Sequence, residues 1–119
     1  MLTVGLIGAG RIGRVHASTI SMHANSQLVA VADIIEDNAQ KLARDYGGQA
    51  CTVDAIYKDK SIDAVLVASS TDTHSEIIEK ATLAGKAVLC EKPVDISLFR
   101  AKQCLENTKP NGQPIMLGF

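Results

Sequence analysis

Three glycines with the spacing GxGxxG lie near the start of the chain, at Gly8, Gly10 and Gly13. They directly follow an apolar run that predicts a buried strand, and they open a segment with helical spacing. In that context Gly8 allows a tight turn, Gly10 lets the backbone approach a pyrophosphate, and Gly13 lets the helix pack closely against the sheet. The motif predicts a dinucleotide-binding loop, and a plain glycine turn is the alternative.

An acidic residue, Asp33, follows 20 positions after Gly13, at the end of the second predicted strand. A carboxylate at this place accepts hydrogen bonds from the adenosine ribose in dinucleotide sites. Its charge repels a 2′-phosphate, and the next basic residue is Lys41. Asp33 therefore predicts NAD rather than NADP, and a helix cap is its alternative role. Arg11, at the tip of the glycine loop, either lies along the pyrophosphate or is solvated.

Two further polar segments follow predicted strands. The first runs from Ser69 to His74 and carries small hydroxyl side chains that can hydrogen-bond a ribose or a phosphate. Helix capping is its alternative role, because Thr73 and Glu76 have the spacing of a capping box, and His74 is expected to orient the loop. The second is Glu91-Lys92-Pro93, which no packing argument requires. Lys92 is a candidate for contacting a reacting hydroxyl or the nicotinamide ribose, and solvated charges before a turn proline are the alternative.

The elements that must position these segments alternate along the chain. Strands are predicted at 2–7, 28–32, 49–53, 63–68, 87–90 and 113–119, and helices at 11–22, 36–46, 54–58, 74–84 and 97–107. Alternating strands and crossover helices predict an α/β fold with a doubly wound, mostly parallel six-stranded sheet and helices on both faces, the Rossmann arrangement. Ligands bind such sheets at the carboxyl ends of the strands.

Composition excludes several classes of protein. The 119 residues are 46% hydrophobic and have a net charge of −1, which excludes wholesale disorder and gives no basic surplus for nucleic acid. No apolar run approaches the roughly 20 residues of a membrane span, and the N-terminus lacks the pattern of a signal peptide. The three cysteines form no CxxC pair and the three histidines lack metal-ligand spacing. We therefore expect a cytoplasmic protein with reduced thiols and no metal site.

Taken together, these segments resemble the N-terminal NAD-binding domain of the Gfo/Idh/MocA oxidoreductases. The resemblance covers essentially the whole chain and rests on GLIGAGRIGRVHA at 5–17, VADI at 31–34, STDTHSE at 70–76 and AGKAVLCEKPVDIS at 84–97. The EKP of the last segment is the most specific element. The resemblance implies hydride transfer between NAD and a hydroxyl-bearing carbon of a small-molecule cyclic polyol or sugar.

The same resemblance implies a role for individual residues. It implies contact with the cofactor for Gly8, Gly10, Arg11, Ile12, Gly13, Asp33, Ser70, Thr71, His74, Glu91 and Lys92. The glycines would hold the pyrophosphate, Asp33 the adenosine ribose, and Glu91 and Lys92 the nicotinamide end. Lys92 would also reach the substrate as the catalytic residue.

One part of the family pattern is absent. Its acid/base aspartate and histidine belong to a second α+β domain, which also supplies the oligomer interface. Residues 1–119 are thus expected to form one dinucleotide-binding domain, the front part of a longer homo-oligomeric enzyme (a dimer or tetramer) or a domain cut at its edge. Alone it is expected to be inactive. The alternatives are a non-catalytic nucleotide-binding or redox-sensing module and a methyltransferase, whose glycine loop is similar.

Overall fold

Strands and helices alternate along residues 1–118, the part of the chain that the computed structural model describes. The strands are β1 (Leu2–Ile7), β2 (Ser26–Ala32), β3 (Gln49–Ala50), β4 (Ala64–Val67), β5 (Ala87–Glu91) and β6 (Ile115–Gly118). The helices are α1 (Arg11–Met22), α2 (Glu36–Tyr46), α3 (Val53–Lys58), α4 (His74–Leu83) and α5 (Leu98–Thr108). Short 3-10 turns lie at Thr71–Thr73 and Lys109–Asn111. The prediction that the last strand reaches Phe119 lies outside the described residues.

The six strands form one parallel sheet in the order β3-β2-β1-β4-β5-β6. The chain order reverses between β1 and β4, which places the switch point of a doubly wound sheet beside the end of β1. This confirms the predicted Rossmann fold. Parallel sheets are covered on both faces, which explains why β1 and β4 are continuous apolar runs rather than alternating ones.

Two apolar layers cover the sheet. On one face Leu6 packs with Ala17 of α1 and Leu42 of α2. On the other face a second cluster joins the sheet to α3, α4 and α5, with Ile56 and Ile78 fully buried. Successive strand residues point to opposite faces, so each central strand contributes to both layers. The sheet is therefore packed on both faces, and the loops that carry the site leave from its carboxyl edge.

The register of four strands brings their ends to one level. Ile7 of β1 pairs with Ala32 of β2 and with Val67 of β4, and Val67 pairs with Cys90 of β5. A predicted site segment begins within two residues of each of these positions. The next residues along the chain are Gly8, Asp33, Ala68 and Glu91, the last of which ends β5. The sequence-predicted loops therefore leave the sheet side by side.

Local boundaries differ from the sequence-based prediction in a few places. β2 begins at Ser26 rather than at residue 28, β3 has only two residues, and β5 continues to Glu91. Thr52 rather than Asp54 caps α3, because its Oγ1 accepts a hydrogen bond from the Ala55 amide at 3.1 Å. The capping box predicted at the start of α4 is also wrong: the Thr73 side chain makes no cap bond there.

The described residues carry few features outside this plan. Within residues 1–118 no helix is both long and apolar enough to cross a bilayer. Over the same range no three His, Cys, Asp or Glu side chains converge as a metal-binding group would. The thiols of Cys90 and Cys104 are buried, and desolvation raises the pKa of the Cys90 thiol to about 12. Such a thiol is packing rather than a nucleophile.

Candidate dinucleotide site

Two glycines of the motif are required by the fold itself. Gly8 has φ +106°, and a Cβ there would lie 2.5 Å from the Ala68 carbonyl carbon and from the Ser69 amide nitrogen. A Cβ on Gly13 would lie 1.9 Å from the Gly8 carbonyl oxygen. Gly8 thus allows the turn beside β4, and Gly13 allows α1 to lie against that turn.

Gly10 differs from the other two glycines. It is the exposed N-cap of α1, in an extended conformation, and a Cβ there would meet no atom within 4 Å. No side chain caps α1, and no acidic residue lies in its first turn. The first-turn amides therefore face open space with the positive end of the helix dipole behind them. This space fits a bound anionic group, and neither the turn nor the packing explains why Gly10 is glycine.

Arg11 and Ile12 begin α1, and both are exposed. Arg14, one turn later, is already engaged, because its guanidinium pairs with Asp45 at 2.8 Å and lies over the Tyr46 ring. The hydrogen bond to Asp45 raises the pKa of Arg14 above its ordinary value. Arg11, unlike Arg14, is therefore an exposed cation at the N-terminal end of α1, next to the glycine loop.

Asp33 ties the glycine loop to the end of β2. One carboxylate oxygen accepts a hydrogen bond from the Ala9 amide at 2.6 Å, and the other accepts one from the Ile35 amide at 3.0 Å. Ile35, not Asp33, occupies the N-cap position of α2, so the helix-cap alternative for Asp33 is wrong. A carboxylate has about four lone-pair sites. Two remain for ribose hydroxyls.

A cleft of about 400 Å³ opens between the ends of β1 and β4. That volume lies within the usual range of small-molecule sites. It is mostly apolar, with polar groups at its rim, and is lined by Ile7, Gly8, Gly10, Asp33, Ile34, Ile35, Val53, Ala68, Ser69, Ser70, Thr73 and Ile77. A second cleft adjoins it, sharing Asp33, Ile34 and Val53. Asp33 thus lies where the two clefts meet.

The hydroxyl-rich segment after β4 forms the far wall of the cleft. The Ser69 and Thr73 hydroxyl oxygens lie 2.7 Å apart, and Thr73 Oγ1 donates to the Ser70 carbonyl at 2.6 Å. These contacts leave the exposed Ser70 side chain at the rim. Thr71 lies in the 3-10 turn, half-buried and away from the lining. Of the two predicted hydroxyl contacts, the geometry favours Ser70.

His74 lies behind this wall rather than in the cleft. Its side chain is 2% exposed. Its Nδ1 lies 2.8 Å from the Pro93 carbonyl oxygen and its Nε2 lies 2.9 Å from the Ser69 carbonyl oxygen. Both ring nitrogens are engaged within the protein, so the ring presents no free nitrogen to the cleft, and the predicted contact between His74 and the cofactor stays a prediction. Its predicted role in orienting the loop agrees with these contacts.

Glu91 and Lys92 leave β5 at the same edge. The Glu91 carboxylate pairs with His16 Nε2 on α1, and each side chain is about a quarter exposed. Lys92 is exposed beyond this pair, and its peptide bond to Pro93 is cis. The sequence motifs do not single out His16. The available signal was its position three residues after Gly13, one turn along the face of α1 that meets the loop.

The family to which this chain belongs follows from comparison with known proteins. Residues 2–119 match the model of the oxidoreductase family with the NAD-binding Rossmann fold, GFO_IDH_MocA. The chain belongs to this family. Among curated relatives, inositol 2-dehydrogenase of Rhizobium meliloti (strain 1021) is 45% identical over 115 residues, which cover 97% of this chain and 35% of the relative. The chain thus spans about a third of the length of the curated relatives it matches.

Solved structures share the same fold. A myo-inositol dehydrogenase from Corynebacterium glutamicum ATCC 13032 aligns with a TM-score of 0.92 and 36% identity, covering 99% of this chain and 36% of that one. GenD2 from gentamicin A biosynthesis, solved in complex with NAD, aligns with a TM-score of 0.92 and 30% identity, covering 98% and 34%. The EKP and GxGxxG resemblance seen in the sequence is therefore confirmed at the level of the family and its NAD-binding fold.

Proposed function

We propose that this chain is the NAD-binding part of an oxidoreductase that transfers hydride between the nicotinamide and a CH–OH group of a cyclic polyol, myo-inositol above all. The observation that carries the proposal is the shared register of Ile7, Ala32, Val67 and Cys90, which delivers the glycine loop, Asp33, Ser70 and Lys92 to one sheet edge. The similarity to inositol 2-dehydrogenases supports the choice of substrate.

The residues of the edge fit an NAD molecule. The open space at Gly10 and the uncapped amides of α1 would hold the pyrophosphate, and Arg11 adds a positive charge there. The Asp33 carboxylate would accept from the ribose hydroxyls, and its charge disfavours a 2′-phosphate. Glu36 and Asp37 in the first turn of α2 add negative charge on the same side. We infer a preference for NAD over NADP.

Lys92 is the residue that we place at the reaction. When bound, NAD supplies or accepts the hydride. Lys92 lies exposed next to Glu91, where its ammonium can donate to a substrate hydroxyl and help to move that proton. Glu91 is held by His16, so the backbone that carries Lys92 is fixed from the α1 side. The full acid/base chemistry requires the aspartate and histidine that the family resemblance places in a second domain.

Three further parts of the proposal come from the sequence. The resemblance implies that residues 1–119 are one dinucleotide-binding domain and that the complete enzyme is a homo-oligomer, and the cysteine pattern implies a cytoplasmic location. The short chain by itself would bind NAD without turning over a polyol.

Calorimetric titration with NADH, NADPH and S-adenosylmethionine tests the assignment. We expect NADH to bind most tightly, NADPH more weakly because of Asp33, and S-adenosylmethionine not at all. NADPH binding as tight as NADH would overturn the cofactor preference. Binding of S-adenosylmethionine alone would indicate the methyltransferase alternative, and NADH binding without turnover by any longer enzyme that contains this chain would indicate a nucleotide-sensing module.

A further inference from the structure

The His74 imidazole is a buried polar ring between two loops. It begins α4 and is 2% exposed, beneath the wall of the cleft. Its Nδ1 is 2.8 Å from the Pro93 carbonyl oxygen, and its Nε2 is 2.9 Å from the Ser69 carbonyl oxygen. One side chain thereby contacts the two segments that follow β4 and β5.

Both partners of this ring are backbone carbonyl oxygens, which accept hydrogen bonds and cannot donate them. The ring tautomer decides which nitrogen donates. Solvent cannot replace either contact, because the ring is buried. A polar contact of this kind holds the two loops together, since breaking it inside the protein leaves a polar group unpaired.

The two contacts of His74, which together bridge the loops after β4 and β5, lie just beyond the point where these strands stop pairing. Val67 and Cys90 are the last residues at which β4 and β5 pair with each other, so beyond them no ladder between these two strands holds the two segments together. Ser69 lines the cleft, and Pro93 follows Lys92 directly. By contrast Ser75, the next residue of α4, holds only the second segment, since its hydroxyl donates to Asp95 Oδ2 at 2.9 Å.

We propose that His74 is a positioning residue whose ring bridges the Ser69 and Pro93 carbonyls and so fixes the cofactor-side wall at Ser69 relative to the segment that carries Lys92. The proposal rests on the proposed function, because only a bound NAD gives the relative position of these two segments a chemical purpose. His74 touches neither cofactor nor substrate in this arrangement. It acts through Ser69 and Pro93.

Hydrogen exchange of the backbone amides, followed by NMR without ligand, tests the bridge directly. We expect His74→Gln to speed exchange in residues 69–73 and 91–95 together. Ser75→Ala is the matched control, because it removes only a contact to the second segment and should speed exchange there alone. A folded His74→Gln variant with unchanged exchange in both segments would overturn the proposal.

NADH fluorescence titration of two variants tests the coupling. His74→Gln places its donors on a single nitrogen, which can reach one carbonyl but cannot span both, and we expect NADH binding to weaken by about fivefold, the effect of losing one ordinary hydrogen bond. Ser75→Ala removes a contact to the Lys92 side alone, and its NADH affinity should not change. A folded His74→Gln variant with unchanged affinity would overturn the coupling. Failure of the unmodified chain to bind NADH would instead overturn the proposed function, and the NMR result alone would then decide the bridge.

Discussion

Replacing Gly10 by valine is expected to abolish NADH binding while the chain stays folded. A Cβ at Gly10 meets no atom within 4 Å, and the backbone there is extended with φ −80° and ψ −158°, so no left-handed conformation requires glycine. The free chain therefore loses little stability, about 0.5 kcal/mol or less, as is usual for an exposed site. The valine side chain fills the open space in front of the first-turn amides of α1.

The expected loss of affinity follows from that occupied space. A pyrophosphate kept away from the helix start loses at least two hydrogen bonds to a charged group, each worth about 1.5–3 kcal/mol. The dissociation constant should then rise by more than about 100-fold, because each 1.4 kcal/mol corresponds to roughly a factor of ten. NADH fluorescence titration measures this change, and thermal unfolding followed by circular dichroism confirms that the variant is folded.

Gly13→Ala is the matched control for the valine variant. Its Cβ would lie 1.9 Å from the Gly8 carbonyl oxygen, so the backbone must move and the free energy of unfolding should fall by several kcal/mol. Gly13→Ala is thus expected to lose both stability and NADH binding, whereas Gly10→Val is expected to lose NADH binding alone. A folded Gly10→Val chain that binds NADH normally would refute the idea that this loop holds phosphate.

Three other outcomes are expected. Asp33→Ala should weaken NADH binding by about 1–3 kcal/mol and reduce the difference between the NADH and NADPH affinities, both measured by calorimetry. An unchanged difference in affinity would show that Asp33 does not contact the ribose. Lys92→Ala should leave the NADH affinity of the chain unchanged. In an enzyme that joins this chain to a substrate domain it should lower kcat by about 100-fold or more, assayed by NADH production from myo-inositol. A normal kcat would show that Lys92 is not the catalytic residue. Arg100 and Asn107 lower the pKa of the Glu79 carboxyl below its ordinary 4.5, so that carboxylate stabilises the fold above pH 4.5, and the contribution is lost as pH falls through the lowered pKa. Glu79→Gln should therefore lower the free energy of unfolding, measured with urea, by about 1 kcal/mol at neutral pH and by almost nothing in strong acid. An equal loss of stability at both pH values would show that the charge of Glu79 is not its cause.

The fold and the outline of the site were predictable because their signals are local. The glycine spacing, the apolar runs and the position of Asp33 each depend on neighbours within one βαβ unit, and the fixed hand and order of such units do the rest. The second contact of Asp33, with the Ala9 amide, was not predicted, because its distance depends on how closely the loop returns to β2.

Contacts between distant segments were not predictable from the pattern. His16 and Glu91 are 75 positions apart, and only the packing of α1 over the end of β5 brings them together. Lys86 is a further case: the sequence places it before an ordinary strand, yet it is 2% exposed, and its ammonium donates to the Asp59 and Ile62 carbonyl oxygens. Desolvation lowers its pKa, and nothing in residue type or spacing distinguishes it from a surface lysine.

Backbone amide NMR of the chain during NADH titration shows which residues the cofactor contacts, and so decides whether the carboxyl edge of the sheet is the NAD site. We predict shifts concentrated at the carboxyl edge of the sheet, in residues 8–13, 33–35, 69–73 and 91–93. The opposite edge, around Thr3 and Lys86, should stay unchanged. Shifts centred on that opposite edge, or no shifts at saturating NADH, would contradict the placement of NAD at the carboxyl edge.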